Sequence, residues 1–165
     1  MLDYWTWKRG LRMNITQSAR PRPENRGTEA VPGTAHLATV LASVPGVAEQ
    51  SLRATLESLP SVKVIGTVAG CLSALQMVRA RQVDLVVIDS NLPLEDVQVF
   101  LQQLEQEGLR TRSLVLAATS GQVRRALAAG ADAALRRDAS IRQLGDVVAR
   151  FRRASPGDAQ DLSGE

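Results

Sequence analysis

The residue best placed to do chemistry in this sequence is Asp89, which directly follows the apolar, β-branched run Leu85–Ile88. Such a run is typical of a central parallel strand that is buried on both faces. Asn91 and Pro93 follow and prevent the strand from continuing. Ligands and chemistry gather beyond the carboxyl ends of strands in open α/β sheets, which favours a functional carboxylate. A carboxylate that only caps the strand end or the next turn is the alternative, and the local pattern gives both equal weight.

Few other residues offer catalytic or metal-binding chemistry. The single cysteine, Cys71, and the single histidine, His36, exclude a disulfide framework and a Cys/His zinc site. Catalysis by a Cys-His or Ser-His-Asp group is also disfavoured, because the only imidazole stands at the start of a predicted strand. We expect Cys71 in the core or at a helix entry and His36 on the surface. The glycines at Gly66 and Gly70 lack the spacing of a dinucleotide site, and no phosphate-binding loop with its lysine is present.

The composition is that of one domain with tails. The chain has 165 residues, of which 44% are hydrophobic and only 3% aromatic, so the core must be aliphatic. No apolar run is long enough to span a bilayer, and Lys8, Arg9 and Arg12 interrupt the N-terminal segment, so we expect a cytoplasmic protein. Residues 1–34 are predicted to be a disordered basic tail, residues 35–153 a domain, and residues 154–165 a disordered acidic tail.

Five predicted strands alternate with five predicted helices. The strands are Leu37–Ala42, Val62–Val68, Leu85–Ile88 and residues 113–118 and 132–135. Each helix is predicted from apolar residues at helical spacing, which we expect to face inward. In chain order, the five helices carry Val47, Leu52, Leu56 and Leu59; Leu72, Leu75 and Val78; Val97, Phe100, Leu101 and Leu104; Val123, Ala126 and Leu127 (helix 122–129); and Ile141, Leu144, Val147, Val148 and Phe151. This alternation predicts an α/β fold with a parallel sheet that is covered on both faces.

Residues 36–152 resemble the receiver domains of bacterial response regulators. The resemblance depends on residues 84–93 (DLVVIDSNLP), residues 130–132 (GAD) and residues 136–138 (RRD). It implies a flavodoxin-like (βα)5 three-layer sandwich with the sheet order 2-1-3-4-5, and it places Asp89 at the position of the phosphoacceptor. The sequence is most similar to receivers that precede a helix-turn-helix domain. No such output domain is expected here, because the chain ends twelve residues after Arg153.

The resemblance fails at the magnesium site. Receivers carry an acidic pair after the first strand, and in this sequence the pair falls on Ser43 and Val44. Mg²⁺ requires octahedral oxygen ligation, usually with one or two carboxylates. Asp89 with the carbonyl group of Asn91 would make a poor site. We therefore expect no cofactor and no dedicated magnesium site, unless another carboxylate such as Glu49 comes close to Asp89.

Other receiver positions are altered as well. The Ser/Thr of the fourth strand falls on Ala117, and the aromatic residue of the fifth strand that switches rotamer falls on Ala134. The lysine of the fifth strand falls on Arg137, which keeps the charge but changes its geometry. The segment before Gly130 is about two residues shorter than the family pattern. Phosphoryl transfer depends on charge neutralisation by metal and cations. The departures therefore predict a degenerate receiver that retains the fold and Asp89.

Three functions are consistent with this pattern. The first is a non-enzymatic signalling module that contacts a histidine kinase, an output protein or a second copy of itself as a homodimer. The implied interaction surface carries Arg124, Arg125, Arg136, Arg142 and Arg150. The second is a working phosphoacceptor, with Asp89 phosphorylated by a histidine kinase and Arg137 as its cation. Nucleic-acid binding through the arginines is the weakest, because no reader motif is present, and no membrane partner is expected.

Overall fold

Five strands and five helices alternate along residues 36–153, the part of the chain that this computed structural model describes. The strands are β1 (Leu37–Ala42), β2 (Val62–Val68), β3 (Leu85–Ile88), β4 (Arg112–Ala117) and β5 (Ala133–Arg136). The helices are α1 (Val47–Glu57), α2 (Cys71–Ala80), α3 (Leu94–Gln106), α4 (Ser120–Ala128) and α5 (Ile141–Arg153). Neighbouring strands pair in parallel in the order β2-β1-β3-β4-β5, as predicted. The predicted tails, residues 1–34 and 154–165, lie outside the described residues.

Successive residues of β3 supply both faces of the sheet. Val86 and Ile88 belong to one apolar cluster, which includes residues of α2, α3 and α4. Leu85 and Val87 belong to a second cluster, which includes residues of α1 and α5. All four are fully buried. The continuous apolar run of β3 therefore results from its central position between two helical layers.

The largest buried side chain of the helical layers is Phe100 of α3, which packs among aliphatic neighbours. Cys71 is buried at the first position of α2, and His36 is exposed just before β1, as the sequence predicts. Helix α3 ends at Gln106, two residues before Gly108, the residue predicted to stop it. The φ of Gly108, 61°, lies in the left-handed region that glycine adopts without strain. The predicted aliphatic core is thus confirmed within residues 36–153.

Four residues predicted to face inward are exposed: Val47, Leu72, Leu127 and Ile141. Three of them, Val47, Leu72 and Ile141, lie in the first turn of a helix. The exposed fractions reach 83% for Val47 and 52% for Ile141. Leu127 is 46% exposed near the end of α4, where Ala126 takes the buried position. Helical spacing thus predicts these helices correctly but wrongly predicts burial for residues near their ends.

Helix α4 begins two residues earlier than predicted, because Thr119 caps it. The Thr119 hydroxyl accepts a hydrogen bond from the backbone N–H of Gln122 at 3.2 Å, and the Gln122 side chain accepts one from the N–H of Thr119 at 3.3 Å. This reciprocal arrangement satisfies N–H groups that the helix itself cannot. Strands β4 and β5 are each shifted by one residue from the predicted bounds, to Arg112–Ala117 and Ala133–Arg136.

The chain reverses its direction across the sheet between β1 and β3. From β1 it moves outward to the edge strand β2, then crosses back over β1 to form β3 and continues to β4 and β5. In open α/β sheets a crevice opens at such a reversal, beyond the carboxyl ends of the two strands. Ser43 follows β1 and Asp89 follows β3, so both lie at this point. No helix within residues 36–153 is long and apolar enough to cross a membrane.

Candidate functional site

Asp89 is held at the carboxyl end of β3 by its own backbone. Its N–H donates to the carbonyl of Ala42 at 2.9 Å, which continues the pairing with β1, and its carbonyl accepts from the N–H of Leu92 at 3.1 Å, which closes the following turn. The backbone thus forms the turn, while the side chain points into a site where only 1% of the residue is exposed. A buried carboxylate must find hydrogen-bond donors or a counter-charge.

Hydroxyl and amide groups supply those donors. The Ser43 Oγ donates to Oδ2 of Asp89 at 2.8 Å, and Nδ2 of Asn91 donates to the same oxygen at 3.2 Å. The Ser90 hydroxyl approaches Oδ1 at 3.3 Å. The sequence does not reveal the role of Ser43, because the two residues are 46 positions apart and only the pairing of β1 with β3 brings them together.

Arg137, which directly follows β5, completes the site at the same edge of the sheet. Its Nε lies 3.6 Å from Oδ1 of Asp89, and its Nη1 donates to Oδ1 of Asn91 at 3.2 Å. The backbone N–H of Arg137 donates to the carbonyl of Ala117 at 2.8 Å, so the pairing of β5 with β4 sets where the side chain starts. The Asn91 amide therefore bridges the cation and the carboxylate. The two residues singled out for this site by the sequence, Asp89 and Arg137, do meet.

The resulting site is a closed polar network. The side chain of Asp89 is fully buried and that of Arg137 is 35% exposed, so the guanidinium lies at the mouth of the site. Asp89 and Arg137 carry opposite unit charges, and the other participants, Ser43, Ser90 and Asn91, are neutral. The network is thus formally neutral.

Four other carboxylates of the domain form contacts away from Asp89. Asp84 accepts from the N–H of Ala38 at 2.8 Å, and Asp132 accepts from the N–H of Ser113 at 2.8 Å, both at the amino ends of the strands and thus opposite Asp89. Glu49 accepts from the N–H of Gly46 at 3.4 Å and so caps its own helix. Asp138 pairs with Arg136 at 2.7 Å.

A magnesium ion fits these residues poorly. At the end of β1, Ser43 is buried and its hydroxyl donates a hydrogen bond to Asp89, while the apolar Val44 is 46% exposed. Within residues 36–153, no three His, Cys, Asp or Glu side chains lie close enough together to hold a metal ion. Hard cations such as Mg²⁺ prefer several oxygen ligands with at least one carboxylate. Asp89 is the carboxylate available here, and Arg137 already neutralises it.

The remaining receiver-like positions lie around the same edge of the sheet. Ala117 is buried at the end of β4 and Ala134 is half-buried on β5. Two residues, Ala118 and Thr119, connect β4 to α4. The hydroxyl of Thr119 is engaged in capping α4, so it serves the helix rather than the site. The loop beside Asp89 is therefore short and fixed at its far end.

The arginines of the predicted interaction surface are all exposed: Arg124 and Arg125 on α4, Arg136 at the end of β5, and Arg142 and Arg150 on α5. Arg136 forms an exposed ion pair with Asp138. For the other four, the described part of the chain offers no ion-pair partner within 4 Å. Exposed guanidinium groups of this kind leave net positive charge on the surface.

The chain was also compared with known proteins. Residues 46–149 match the model of the family described as "Response regulator receiver domain". No curated protein matches the sequence. Among solved structures, the signal receiver domain of NarL from Mycobacterium tuberculosis is similar, with a TM-score of 0.65 and 21% identity over 73% of this chain and 99% of that one.

Two other solved structures show the same fold. The receiver domain of the Francisella response regulator 1452 has a TM-score of 0.60 and 22% identity over 73% of this chain and 100% of that one. The receiver domain of the sensor histidine kinase PA1611 from Pseudomonas aeruginosa PAO1 has a TM-score of 0.61 and 23% identity over 71% and 98% of the two chains. That structure has a magnesium ion coordinated in its active site cleft.

Proposed function

Because this chain belongs to the response regulator receiver domain family, we propose that it is a signalling module of a two-component phosphorelay that acts through protein–protein contacts. In this proposal Asp89 undergoes weak or no magnesium-dependent phosphorylation. The module is not an enzyme, and it needs no resident cofactor. Its partners are proteins: a histidine kinase, an output protein or a second copy of the chain.

One observation carries the proposal: the carboxylate of Asp89 is already satisfied by the protein itself. Ser43 and Asn91 donate to Oδ2, and the Arg137 guanidinium lies 3.6 Å from Oδ1. A metal ion would have to displace or share these contacts. Phosphoryl transfer also depends on metal and cations around the transferred group.

The charge of the site supports the same conclusion. A divalent cation is attracted by the excess negative charge of its ligands, and here Asp89 and Arg137 sum to zero formal charge. A cation bound near the same carboxylate would also face the guanidinium. Two unit charges about 4 Å apart repel by on the order of 4 kcal/mol at an effective dielectric constant of 20. The network thus opposes the binding of Mg²⁺.

Incubation with acetyl phosphate and Mg²⁺, followed by intact-mass spectrometry, tests this proposal. We expect no stoichiometric gain of a phosphoryl group in the wild-type protein. The Asp89→Asn variant is the matched control, because it removes the carboxylate but retains the size of the side chain. A stoichiometric gain that disappears in Asp89→Asn would overturn the proposal.

A working phosphoacceptor is the alternative, and the position of Asp89 at the end of β3 favours it. Arg137 would then be the cation that pairs with the phosphoryl oxygens. In a cell with the cognate kinase, this alternative requires that Asp89→Asn abolish the kinase-dependent response. Under our proposal the response persists in that variant, because it depends on contacts away from the site.

For the contact surface, we propose the face that carries Arg124, Arg125, Arg136, Arg142 and Arg150. Four of these cations have no acidic partner within the described residues, so an acidic protein surface would complement them. Rim charges mainly accelerate association, and their effect weakens as salt screens them. Binding of the partner should therefore fall with ionic strength, and more weakly in a variant that lacks Arg142 and Arg150.

A further inference from the structure

A cavity opens between α1 and the start of α5, below the loop that follows β5. Its volume is about 220 Å³. Apolar side chains, Leu116 of β4 and Leu144 of α5, line its inner part, and Ser51 of α1 lines it with a hydroxyl group. At roughly 30 Å³ per molecule of liquid water, this volume holds about seven waters. It is thus large enough for a small organic ligand and too small for a nucleotide.

Two arginine residues border this cavity. Arg136 and Arg137 are consecutive in the chain and both line it. Within residues 36–153, the ion-pair partner of Arg136 is Asp138, and both side chains of that pair are more than half exposed. Exposed ion pairs contribute little to stability, so a ligand can replace this one at little cost. The guanidinium of Arg137 donates to Asn91 at 3.2 Å and lies 3.6 Å from Oδ1 of Asp89.

We propose that this cavity binds a small molecule with one anionic head group and a short apolar tail. The head group, a carboxylate or a phosphate, would accept hydrogen bonds from Arg136 and Arg137, which suit planar, bidentate recognition. The tail would lie against Leu116 and Leu144. No contact in the described part of the chain gives Arg136 a buried partner that would compete with such a ligand.

Arg137 couples this cavity to the site of Asp89. The same residue lines the cavity and lies 3.6 Å from Oδ1 of Asp89, so an anion in the cavity competes with that carboxylate for one cation. Binding of the ligand therefore loosens the network around Asp89. By linkage, removal of the Asp89 charge must strengthen binding of the ligand by the factor by which a bound ligand weakens the interaction of Arg137 with Asp89. This coupling does not depend on whether Asp89 accepts phosphate.

Titration of the ¹⁵N-labelled protein, followed by NMR, tests the site with defined probes. Hexanoate carries head and tail, butyl phosphate replaces the head group, and hexanamide is the neutral counterpart of hexanoate. We expect hexanoate or butyl phosphate to shift the amides of Ser51 and Leu144 saturably, with a Kd on the order of 1 mM. Whichever of the two binds more tightly identifies the head group. Hexanamide should bind at least about tenfold more weakly, because it lacks the charge.

Matched variants complete the test. Arg136→Gln should weaken hexanoate binding about tenfold, while Arg124→Gln, which removes the same charge from α4, should leave it unchanged. Ala48→Leu fills the cavity from α1 and should abolish binding. Asp89→Asn should strengthen binding about fivefold. Equal binding of hexanamide and hexanoate, equal effects of Arg136→Gln and Arg124→Gln, or no saturable shift with either anion would overturn the proposal.

Discussion

The Nε atom of Arg137 lies 3.6 Å from Oδ1 of Asp89, and the same guanidinium donates to the side chain of Asn91. The protein thereby carries its own cation at the carboxylate that the resemblance to receivers proposes as the phosphoacceptor. In a chain with an acidic pair after β1, that cation would be one of several charges. Here Ser43 and Val44 stand at those positions, so Arg137 balances Asp89 alone. The predictions below follow from this balance.

Loss of the cation should destabilise the fold. Arg137→Gln leaves a buried carboxylate without its counter-charge, although the donors from Ser43 and Asn91 remain. We expect the free energy of unfolding to fall by about 1–2 kcal/mol, measured by urea denaturation. Arg124→Gln, on the exposed face of α4, should change it by less than about 0.5 kcal/mol. Equal losses in the two variants would show that the charge of Arg137 is not paired.

A second carboxylate should create a magnesium site. The Ser43 Oγ lies 2.8 Å from Oδ2 of Asp89, so Ser43→Asp places two carboxylates together. Without metal we expect a lower Tm, because like charges repel. Millimolar Mg²⁺ should then raise the Tm of the variant by about 4 °C or more.

The wild-type protein and Ser73→Asp, which adds the same charge at an exposed position of α2, are the controls for that experiment. Mg²⁺ should shift the Tm of each by less than about 1 °C. A wild-type shift as large as that of Ser43→Asp would contradict the account, since it would mean that Asp89 gathers the ion unaided.

The buried thiol should make the fold sensitive to alkaline pH. Burial, with a smaller contribution from the negative charge of Asp96, raises the pKa of Cys71 from 9.0 to about 11. The folded state thus keeps the thiol neutral at pH values where the unfolded state ionises. The contribution of the neutral thiol to the free energy of unfolding is fully present below pH 9. It declines between pH 9 and pH 11, by at most roughly 2–3 kcal/mol.

Urea denaturation of the wild-type protein and of Cys71→Ala across this pH range measures the decline. The variant cannot ionise at this position, so its free energy of unfolding should fall less steeply above pH 9. Parallel pH profiles for the two proteins would contradict the assignment. The native thiol should also react slowly with disulfide reagents at pH 8, because little of it is thiolate.

Much of the fold follows from periodicity. The continuous apolar run Leu85–Ile88 predicts a strand that is buried on both faces. The structure confirms this, since each of its residues belongs to one of the two apolar clusters. The order of the strands does not follow from periodicity, and it was predicted through the resemblance of residues 84–93 to receivers. Burial in the first turns of the helices was predicted less well. Val47 and Ile141 continue the apolar spacing at the first positions of their helices, but they remain exposed.

The candidate site was predicted only in part. Asp89 is visible in the sequence because a carboxylate ends an apolar strand. Arg137 was singled out only through the resemblance to receivers, which places it at the position of their fifth-strand lysine. Ser43 appeared only as a missing carboxylate, since its contact with Asp89 depends on strand pairing across 46 positions. The bridging role of the Asn91 side chain depends on the turn that follows β3. Both roles come from tertiary structure that local patterns do not encode.

A crystal structure of the protein grown with Mg²⁺ and beryllofluoride tests the central claim most directly. The claim is that Asp89 is held by Ser43, Asn91 and Arg137 in a network that does not gather magnesium. We predict that Arg137 remains beside Asp89 and that neither ion is bound at its carboxylate. A structure with beryllofluoride on Oδ1 or Oδ2 of Asp89 and Mg²⁺ coordinated next to it would contradict the account.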